Sequence, residues 1–383
     1  MKKEIKQEFK LFFKRGDILL LILCCLASLY GVVLIASATK SYGATSFLAV
    51  QIFSLFLGIV LFIVVSMTDV EVFTSRSNWL ILFNILFILA LLIFGEAGDS
   101  GNRSWIRFPL IGIGVQPAEV VKVFFIIVLA KQISDYQQTN LNSVKHIALL
   151  VLHLAVMVGL ILFVSSDLGV ALIYVFAFIV MLYTGGIKLR WVLIAVAIGV
   201  IAGPLIWNNL LRDDQRNRIM IIFDPSIDPN NVGVGWQAWR SKIAVGSGQI
   251  TGMGLFKGTQ VQYSDYLPAK HTDFIFSVAG EELGLIGCVA IILLLTAIIL
   301  RCIYIGYKSR NSMYTLLCMG IAGMLIFQTY ENIGMCLGVT PVIGITLPFF
   351  SYGGTSIVTL FFAMGLISSV KMHPAPDWYR KNY

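Results

Sequence analysis

The sequence predicts an all-α polytopic membrane protein with about ten transmembrane helices and a large outer loop between spans 7 and 8. Only 13% of the 383 residues are charged and 58% are hydrophobic, whereas ordinary soluble domains are about 25% charged. The mean hydropathy is +0.86. Apolar runs of about 20 residues, the length that crosses a bilayer core, recur along nearly the whole chain. This continuous pattern predicts a single transmembrane domain over residues 1–383.

The apolar runs define ten predicted spans. They cover about residues 17–38, 46–67, 78–95, 117–133, 146–164, 168–185, 191–211, 273–300, 313–337 and 348–370. The first run follows a basic N-terminus and lasts until about Ala38, which is too long for the apolar region of a cleaved signal peptide. We therefore interpret it as a retained first span.

The distribution of positive charge predicts the orientation. With the N-terminus inside, most of the 28 Lys and Arg residues fall on inner segments, whereas the short outer loops hold only Lys40, Arg103 and Arg107. Short cytoplasmic loops carry such an excess, so both termini are predicted to be cytoplasmic. The net charge of +8 then reflects topology, and no nucleic-acid partner is expected. Segments 95–117 and 212–272 are predicted to face outward.

The cysteines indicate neither a disulfide framework nor a metal site. All six lie within or beside apolar runs, and none forms a C-x-x-C pair. We therefore predict no metal ligands among them.

Two charges interrupt the fourth span. Glu119 and Lys122 are three residues apart and so share one face of a helix. Charges inside a membrane are energetically expensive and by default mark a site. Two interpretations remain open, namely an ion pair that only fixes helix packing and a pair that also lines a substrate cavity.

The outer segments carry candidate anion-binding groups. "GNRSWIRF" presents Arg103 and Trp105, and the long loop adds Arg216, Arg218 and Lys242. Arginine suits bidentate phosphate recognition, although a charge run is often only a solvated face and an interfacial Trp is often a membrane anchor. Five glycines between residues 246 and 258 could let backbone N–H groups form an anion-binding nest.

The stretch "YLPAKHTDFIFSVAGEELG" places several carboxylates where an apolar run begins. Thr272 is a candidate N-cap, and Asp273 would then occupy the first helical turn, where the helix dipole favours a carboxylate. Glu281 and Glu282 would lie one to two turns deeper. They could face a water-filled cavity, pair with Lys122 or Arg103, or be protonated and structural.

Several motifs carry a family resemblance. "QPAEVVK", "SSDLGVALI", "IAVGSGQITGMGLFKGTQ", "YLPAKHTDFIFSVAGEELGLIG" and "QTYENIGMCLGVTPVIGITLPFFSYGGTS" together resemble the SEDS (shape, elongation, division and sporulation) proteins. "KGTQ" and "NIGMCLGVTPVIGI" resemble the elongation members, the RodA type, more than the division members, the FtsW type. Ala269 and Thr346 depart from the Glu and Pro that many members have there, which questions a universal carboxylate at 269 and should alter the turn before the last span.

The resemblance implies a peptidoglycan glycosyltransferase. Such an enzyme polymerises lipid II, an undecaprenyl-pyrophosphate disaccharide-pentapeptide, on the outer face of the bacterial cytoplasmic membrane, with a class B penicillin-binding protein as partner. The family's essential aspartate falls on Asp273, and its other matched positions fall on Glu119, Lys122 and Trp105. The motif residues His271, Thr272 and Ser351 are added to the expected substrate-binding set.

The expected chemistry gives these residues roles. Asp273 would act as general base, with partial burial raising its pKa toward working pH. The diphosphate leaving group needs positive charge, and the candidates for it are Arg103, Arg216, Arg218, Lys242 and Lys122. No cofactor is expected, and no ligand spacing favours a divalent cation at Asp273 or Glu119. The alternatives are a lipid II flippase that uses the intramembrane charges and a non-catalytic scaffold for the penicillin-binding protein.

Overall fold

The computed structural model describes residues 10–43, 45–97, 103–108, 113–209, 211–263 and 266–374. Within these ranges a helix occupies each predicted span, and two more helices of eight or more residues lie in the long loop, beside shorter helical turns. The helices of eight or more residues are α1 Ile18–Thr39, α2 Thr45–Met67, α3 Ser77–Leu89, α4 Pro117–Gln137, α5 Val144–Ser165, α6 Leu168–Thr184, α7 Leu189–Asn209, α8 Asp213–Met220, α9 Trp236–Ser247, α10 Ile275–Lys308, α11 Ser312–Leu337 and α12 Gly354–Met372.

Among the described residues, eight helices are long and apolar enough to cross a membrane. The two predicted spans outside this set are α4, which carries Glu119, Lys122, Lys131 and Asp135, and α6, which has only 17 residues. The polytopic helical fold is therefore confirmed. The predicted crossings by α4 and α6 remain predictions.

The centre of the bundle is formed by α11 and α12, whose most apolar windows are 67% and 78% buried. Glycines allow α2 and α12 to approach closely, since a Cβ on Gly58 would lie 3.0 Å from Cγ of Phe361. By contrast, α7 has no buried side chain among its described residues. The side chains of α7 are therefore available to contact lipid.

The outer segment before α4 is not irregular loop. Strands β1 (Glu96–Ala97), β2 (Arg103–Phe108) and β3 (Ile113–Val115) form an antiparallel sheet in that order. Trp105 pairs with Glu96, and Ile106 pairs with Val115. The sequence analysis predicted no strand here, although Trp and Ile favour a pleated surface. Residues 98–102 and 109–112 of that segment lie outside the described residues.

Helix α10 is broken at Gly284, whose φ of 65° and ψ of −159° are not helical. The loop that precedes α10 fills the break, because Gln249 O accepts from Leu285 N at 2.8 Å and Ile250 O accepts from Ile286 N at 3.2 Å. Gly252 (φ 79°) presses on the backbone there, and its Cβ would lie 2.2 Å from Glu282 O. Only glycine permits this approach.

The glycine-rich segment is therefore structural, and its interpretation as an anion-binding nest is wrong for its central part. Met253 N donates to Glu281 O at 2.9 Å, and Gly254 N donates to Glu282 O at 3.0 Å. These N–H groups are used inside the protein and do not face a ligand.

The same contacts explain why two glutamates lie near the outer end of α10. Glu281 caps the short helical turn Thr259–Gln262, accepting from Gln260 N at 2.7 Å and from Val261 N at 2.9 Å. Glu282 Oε1 accepts from Gln262 Nε2 of the same turn at 3.2 Å and from Ser37 Oγ of α1 at 2.7 Å. Both carboxylates hold the outer loop against α10, so neither pairs with Lys122 or Arg103.

The last span begins later than predicted, at Gly354 instead of about residue 348. Residues 347–351 instead form a turn in which Leu347 O accepts from Phe350 N and Ser351 N at 3.2 and 3.1 Å. Phe349 has a left-handed φ of 67°. Pro348 thus lies in the turn before the helix, and this turn borders the site described next.

Candidate active site

A cavity of about 1640 Å³ opens at the ends of the helices that the charge distribution predicts to face outward. Its walls come from the β-sheet, from α8, and from the segments 268–273 and 342–354 that precede α10 and α12. Six of the eleven predicted site residues line it, namely Trp105, Glu119, Arg218, His271, Thr272 and Asp273. The other five, Arg103, Lys122, Arg216, Lys242 and Ser351, do not line it.

Asp273 lies in a turn before α10. Ala269, at a left-handed φ of 50°, directs its carbonyl oxygen at three successive amides, and Thr272 N, Asp273 N and Phe274 N donate to it at 3.1, 3.0 and 3.2 Å. The helix starts only at Ile275. The prediction that Thr272 caps the helix and that Asp273 lies in its first turn is therefore wrong, because the 269–274 turn consumes those amides.

Neighbouring elements fix the backbone of this turn residue by residue. Tyr352 N donates to His271 O at 2.8 Å, Ser351 Oγ donates to Thr272 O at 2.5 Å, and Asn332 Nδ2 donates to Asp273 O at 2.7 Å. Asn332 Nδ2 also donates to Ile345 O at 2.7 Å, which joins both sides of the cavity. The contacts of Ser351 support a positioning role and not the predicted substrate contact. Asn332 was missed, although a polar Asn inside an apolar helix was a usable signal.

The electrostatics of the cavity favour a carboxyl group that titrates near neutral pH. Burial raises the pKa of Asp273 to about 6, and the negative charge of Asp167 adds to this rise. A hydrogen bond from Thr272 and the charge of Arg218 lower the pKa and so oppose the shift. The expectation that burial raises the pKa of Asp273 agrees with this geometry.

Asp167 is a further carboxylate that lines the cavity. It caps α6, accepting from Val170 N at 3.0 Å, and its other oxygen accepts from Gln116 Nε2 at 3.5 Å. Burial raises its pKa to about 6, with repulsion from Glu119 adding to the rise and Lys122 opposing it. The sequence analysis quoted Asp167 only within a motif. An Asp directly before an apolar run was the signal that could have identified it.

Glu119 and Lys122 form the ion pair that their spacing predicted. Lys122 Nζ lies 2.8 Å from Glu119 Oε1, and the two side chains are 2% and 7% exposed. Glu119 lines the cavity while Lys122 lies behind it. One member of the pair, Glu119, therefore faces the cavity, and the other, Lys122, is buried among the side chains packed around α4.

The positive charges of the cavity differ from the predicted set. Those that line it are Arg107, Arg212 and Arg218, and Arg218 Nη1 donates to Val342 O at 2.8 Å. Arg216 instead donates to Asn208 O at 2.8 Å, and Lys242 packs over Gly338, whose Cβ would lie 3.2 Å from Nζ. A count of basic residues cannot tell which side of a loop helix each one occupies.

No metal site is found in the part of the chain that the structure describes: no group of three or more His, Cys, Asp or Glu side chains could hold an ion. All six cysteines are free. Trp105 lines the cavity from β2 and packs over Gly114, whose Cβ would lie 3.2 Å from the indole ring. This position allows contact with a ligand in the cavity, and the substrate contact predicted for Trp105 remains a prediction.

Comparison with known sequences gives one family and named relatives. A family model described as cell cycle protein, FTSW_RODA_SPOVE, matches residues 17–375. The peptidoglycan glycosyltransferase MrdB of Escherichia coli K12 is 32% identical over 320 residues, covering 83% of each chain. The probable peptidoglycan glycosyltransferase FtsW of Geobacter metallireducens is 32% identical over 377 residues, covering 94% of this chain and 97% of the relative.

Solved structures share the fold. A chain from a peptidoglycan synthase complex, described in terms of coordinated polymerization and crosslinking, superposes with a TM-score of 0.79 at 29% identity and covers 94% of this chain and 99% of its own. An aspartate-to-alanine variant of the rod shape determining protein RodA from Thermus thermophilus gives a TM-score of 0.69 at 26% identity, with the same two coverages. The helical arrangement is therefore shared along almost the whole chain.

Proposed function

The chain belongs to the FtsW/RodA/SpoVE family of cell cycle proteins, and from this premise we propose that it is a peptidoglycan glycosyltransferase that polymerises lipid II. The observation that carries the proposal is the position of Asp273, a partly buried carboxylate with a pKa of about 6 on the wall of a large outer cavity that three arginines also line. A base with a pKa close to working pH is effective in proton transfer.

Asp273 accepts the proton of the acceptor sugar's hydroxyl group as that oxygen attacks the anomeric carbon of the donor. A glycosidic bond forms and the bond to the diphosphate breaks, so the electron pair leaves with the lipid diphosphate. This anion needs positive charge more than it needs a proton. Arg107, Arg212 and Arg218 supply that charge from the cavity wall.

The remaining groups hold this arrangement. Glu119 extends from the buried ion pair to the cavity wall, and Asp167 keeps a second negative charge close enough to raise the pKa of Asp273. Asn332 and Ser351 fix the backbone on either side of the Asp273 side chain. Trp105, His271 and Thr272 line the cavity and contact the substrate.

The setting of the reaction is part of the proposal. The cavity faces the outer side of the bacterial cytoplasmic membrane, both termini are cytoplasmic, and a class B penicillin-binding protein crosslinks the strands. A role in cell elongation rests on the motif resemblance to RodA, because relatives named MrdB and FtsW match at similar identity. The structural neighbour from a peptidoglycan synthase complex supports a transpeptidase partner.

The flippase alternative loses support from the structure. It relies on four intramembrane charges, but the carboxylates of Glu281 and Glu282 bind the outer loop, and Glu119 is paired with Lys122. A non-catalytic scaffold has no need for a carboxyl group with a raised pKa on a cavity wall, whereas a glycosyltransferase uses such a group as its base.

The test is polymerisation by the purified protein in detergent, with fluorescent lipid II as substrate and glycan strands resolved on a gel. We expect strands from the wild type and none from Asp273→Asn, which controls for contaminating polymerases. A detergent solution offers no second leaflet, so a flippase would yield no product. Absence of strands, with and without a penicillin-binding protein partner, would reject the proposal.

A further inference from the structure

Four aromatic rings line part of the cavity, and we call them the aromatic wall: Tyr42, Phe47, His271 and Tyr352. The ring of Phe47 lies 5.0 Å from that of His271 and 5.1 Å from that of Tyr352, measured between centroids. The ring of Tyr42 lies 5.9 Å from that of His271. The four rings therefore form one continuous surface.

The aromatic wall is attached to the turn that carries Asp273. His271 lies two residues before Asp273, and its carbonyl oxygen accepts from Tyr352 N at 2.8 Å. Phe47 comes from the first turn of α2, and Tyr42 from the short connection between α1 and α2. Four side chains from three separate segments thus meet at the turn that carries Asp273.

These rings are not a closed hydrophobic core. Tyr42 is 38% exposed, and Phe47, His271 and Tyr352 are each partly exposed and line the cavity. Partly exposed aromatic groups in a concave site, next to a few fixed polar groups, are typical of ligand-binding surfaces. The neighbouring polar groups here are Thr272 and Asp273.

The position of the aromatic wall indicates which portion of the substrate contacts it. A general base must lie within about 3 Å of the oxygen that carries the proton it removes, so the ring bearing the acceptor hydroxyl must lie beside Asp273 and therefore close to the turn that bears the wall. The face of a pyranose ring carries C–H groups with partial positive charge, and the faces of aromatic rings are negative. The two surfaces are complementary in shape and in charge.

We propose that the aromatic wall formed by Tyr42, Phe47, His271 and Tyr352 is a sugar-binding subsite that stacks on the acceptor pyranose and presents its hydroxyl group to Asp273. The inference rests on the proposed glycosyl transfer and adds the subsite that orients one of its two substrates. It assigns the wall to the sugar and not to the isoprenoid chain, because the wall is joined through His271 and Tyr352 to the turn that carries Asp273.

The first test compares two substitutions on the same helix. Phe47→Leu keeps an apolar side chain but removes the aromatic face, whereas Phe53→Leu changes a phenylalanine that is 54% exposed and does not line the cavity. We expect Phe47→Leu to raise the KM for lipid II about tenfold with little change in kcat, as loss of uniform binding does. Phe47→Trp should restore the KM, and Phe53→Leu should leave both constants unchanged.

The second test measures binding without turnover, in the Asp273→Asn background, by titrating the thermal midpoint with ligand. Two probes are used: lipid II, and undecaprenyl diphosphate, which lacks the sugars. Addition of Phe47→Leu should weaken binding of lipid II about tenfold and leave binding of undecaprenyl diphosphate unchanged. The same selective loss of lipid II binding in Tyr352→Leu would show that Tyr352 also contacts the sugar.

Each outcome separates the two proposals. Equal weakening of both probes, or a lower thermal midpoint with unchanged affinity, would overturn the sugar subsite and leave the wall as a tail contact or as packing. If the wild type makes no glycan but Phe47→Leu still selectively weakens lipid II, the proposed polymerisation fails while the subsite stands. If the wild type polymerises and Phe47→Leu behaves as Phe53→Leu does, only the subsite fails.

Discussion

At the residue scale, the cavity brings together carboxyl groups that alter one another's proton affinity. Asp273 and Asp167 each have a pKa of about 6, and in both cases burial is the largest cause. Asp167 adds to the rise in the pKa of Asp273 through its negative charge, while Arg218 acts against it. The proton affinity of Asp273 therefore depends in part on charged residues that are distant from it in sequence.

Asp167→Asn should shift the acidic limb of the pH–rate profile to lower pH. Asparagine still caps a helix, so α6 should persist, but the charge that raises the pKa of Asp273 is removed. The active form is the carboxylate, so the rate relative to its plateau should increase below pH 6. The control is Asp214→Asn, which lines the same cavity and is not among the charges that shift Asp273. A limb that stays in place in Asp167→Asn would contradict the coupling.

The sequence singles out Asp273, Glu119 and Lys122, because carboxylates and cations in apolar surroundings stand out in a one-dimensional pattern; of these, Asp273 and Glu119 line the cavity. Asp167 and Asn332 were missed, and Arg103, Arg216 and Lys242 were chosen over Arg107 and Arg212 as cavity cations. Those outcomes depend on which side of a turn faces the cavity, and residue type does not encode that direction.

At the element scale, the break in α10 depends on a close backbone contact with Gly252. Gly252→Ala should destabilise the protein by about 2 kcal/mol or more, because the residue has φ of 79° and its Cβ would lie 2.2 Å from Glu282 O. Gly246→Ala is the matched control, since that glycine lies in α9 and its Cβ would meet nothing within 4 Å. It should be neutral or slightly stabilising. Thermal unfolding in detergent measures both, and equal midpoints would refute the role of Gly252.

The ion pair of α4 gives a second prediction at this scale. Removing either charge alone, in Glu119→Gln or Lys122→Met, should cost about 3–5 kcal/mol because the partner is left buried and unpaired. The double variant should be more stable than either single variant. It should still polymerise poorly, since Glu119 also lines the cavity. Full activity of a stable double variant would reduce the pair to a packing role.

The helices themselves were predictable to within a few residues over most of the chain. The apolar stretch that forms a helix such as α2 or α5 is continuous in the sequence, so it can be recognised without knowledge of the rest of the fold. The interruption and the start of α10 could not be predicted in the same way. Gly284 interrupts α10 only because the 249–254 segment supplies its hydrogen bonds, and α10 starts at Ile275 only because Ala269 takes up the preceding amides. Both depend on contacts with other segments.

At the scale of the whole molecule, the orientation predicted by the lysine and arginine distribution awaits a direct test. A single cysteine is introduced in a cysteine-free background, either at Val232, which is 77% exposed in the outer loop, or at Arg310, between α10 and α11. An impermeant maleimide added to intact cells should label Val232→Cys and not Arg310→Cys. The reverse pattern would invert the topology and place the cavity on the cytoplasmic side.

The central claim is that Asp273 is the base in glycosyl transfer. Asparagine preserves the size of the side chain but cannot accept the proton, so Asp273→Asn should lower the rate by about 10²–10⁴-fold. The fold should survive. A carboxyl group whose pKa is raised to about 6 in the folded protein contributes stability below its unfolded pKa and loses it as pH rises through 6, so the neutral variant should be at least as stable as the wild type at pH 8.

The decisive measurement is the initial rate of lipid II polymerisation at pH 8 by Asp273→Asn and by Asp213→Asn, both purified with the penicillin-binding protein partner. Asp213 is 92% exposed and outside the cavity, so its variant should match the wild type. The account predicts a loss of at least about 10²-fold in Asp273→Asn with an unchanged or higher thermal midpoint. A well-folded Asp273→Asn that polymerises lipid II at close to the wild-type rate would contradict it.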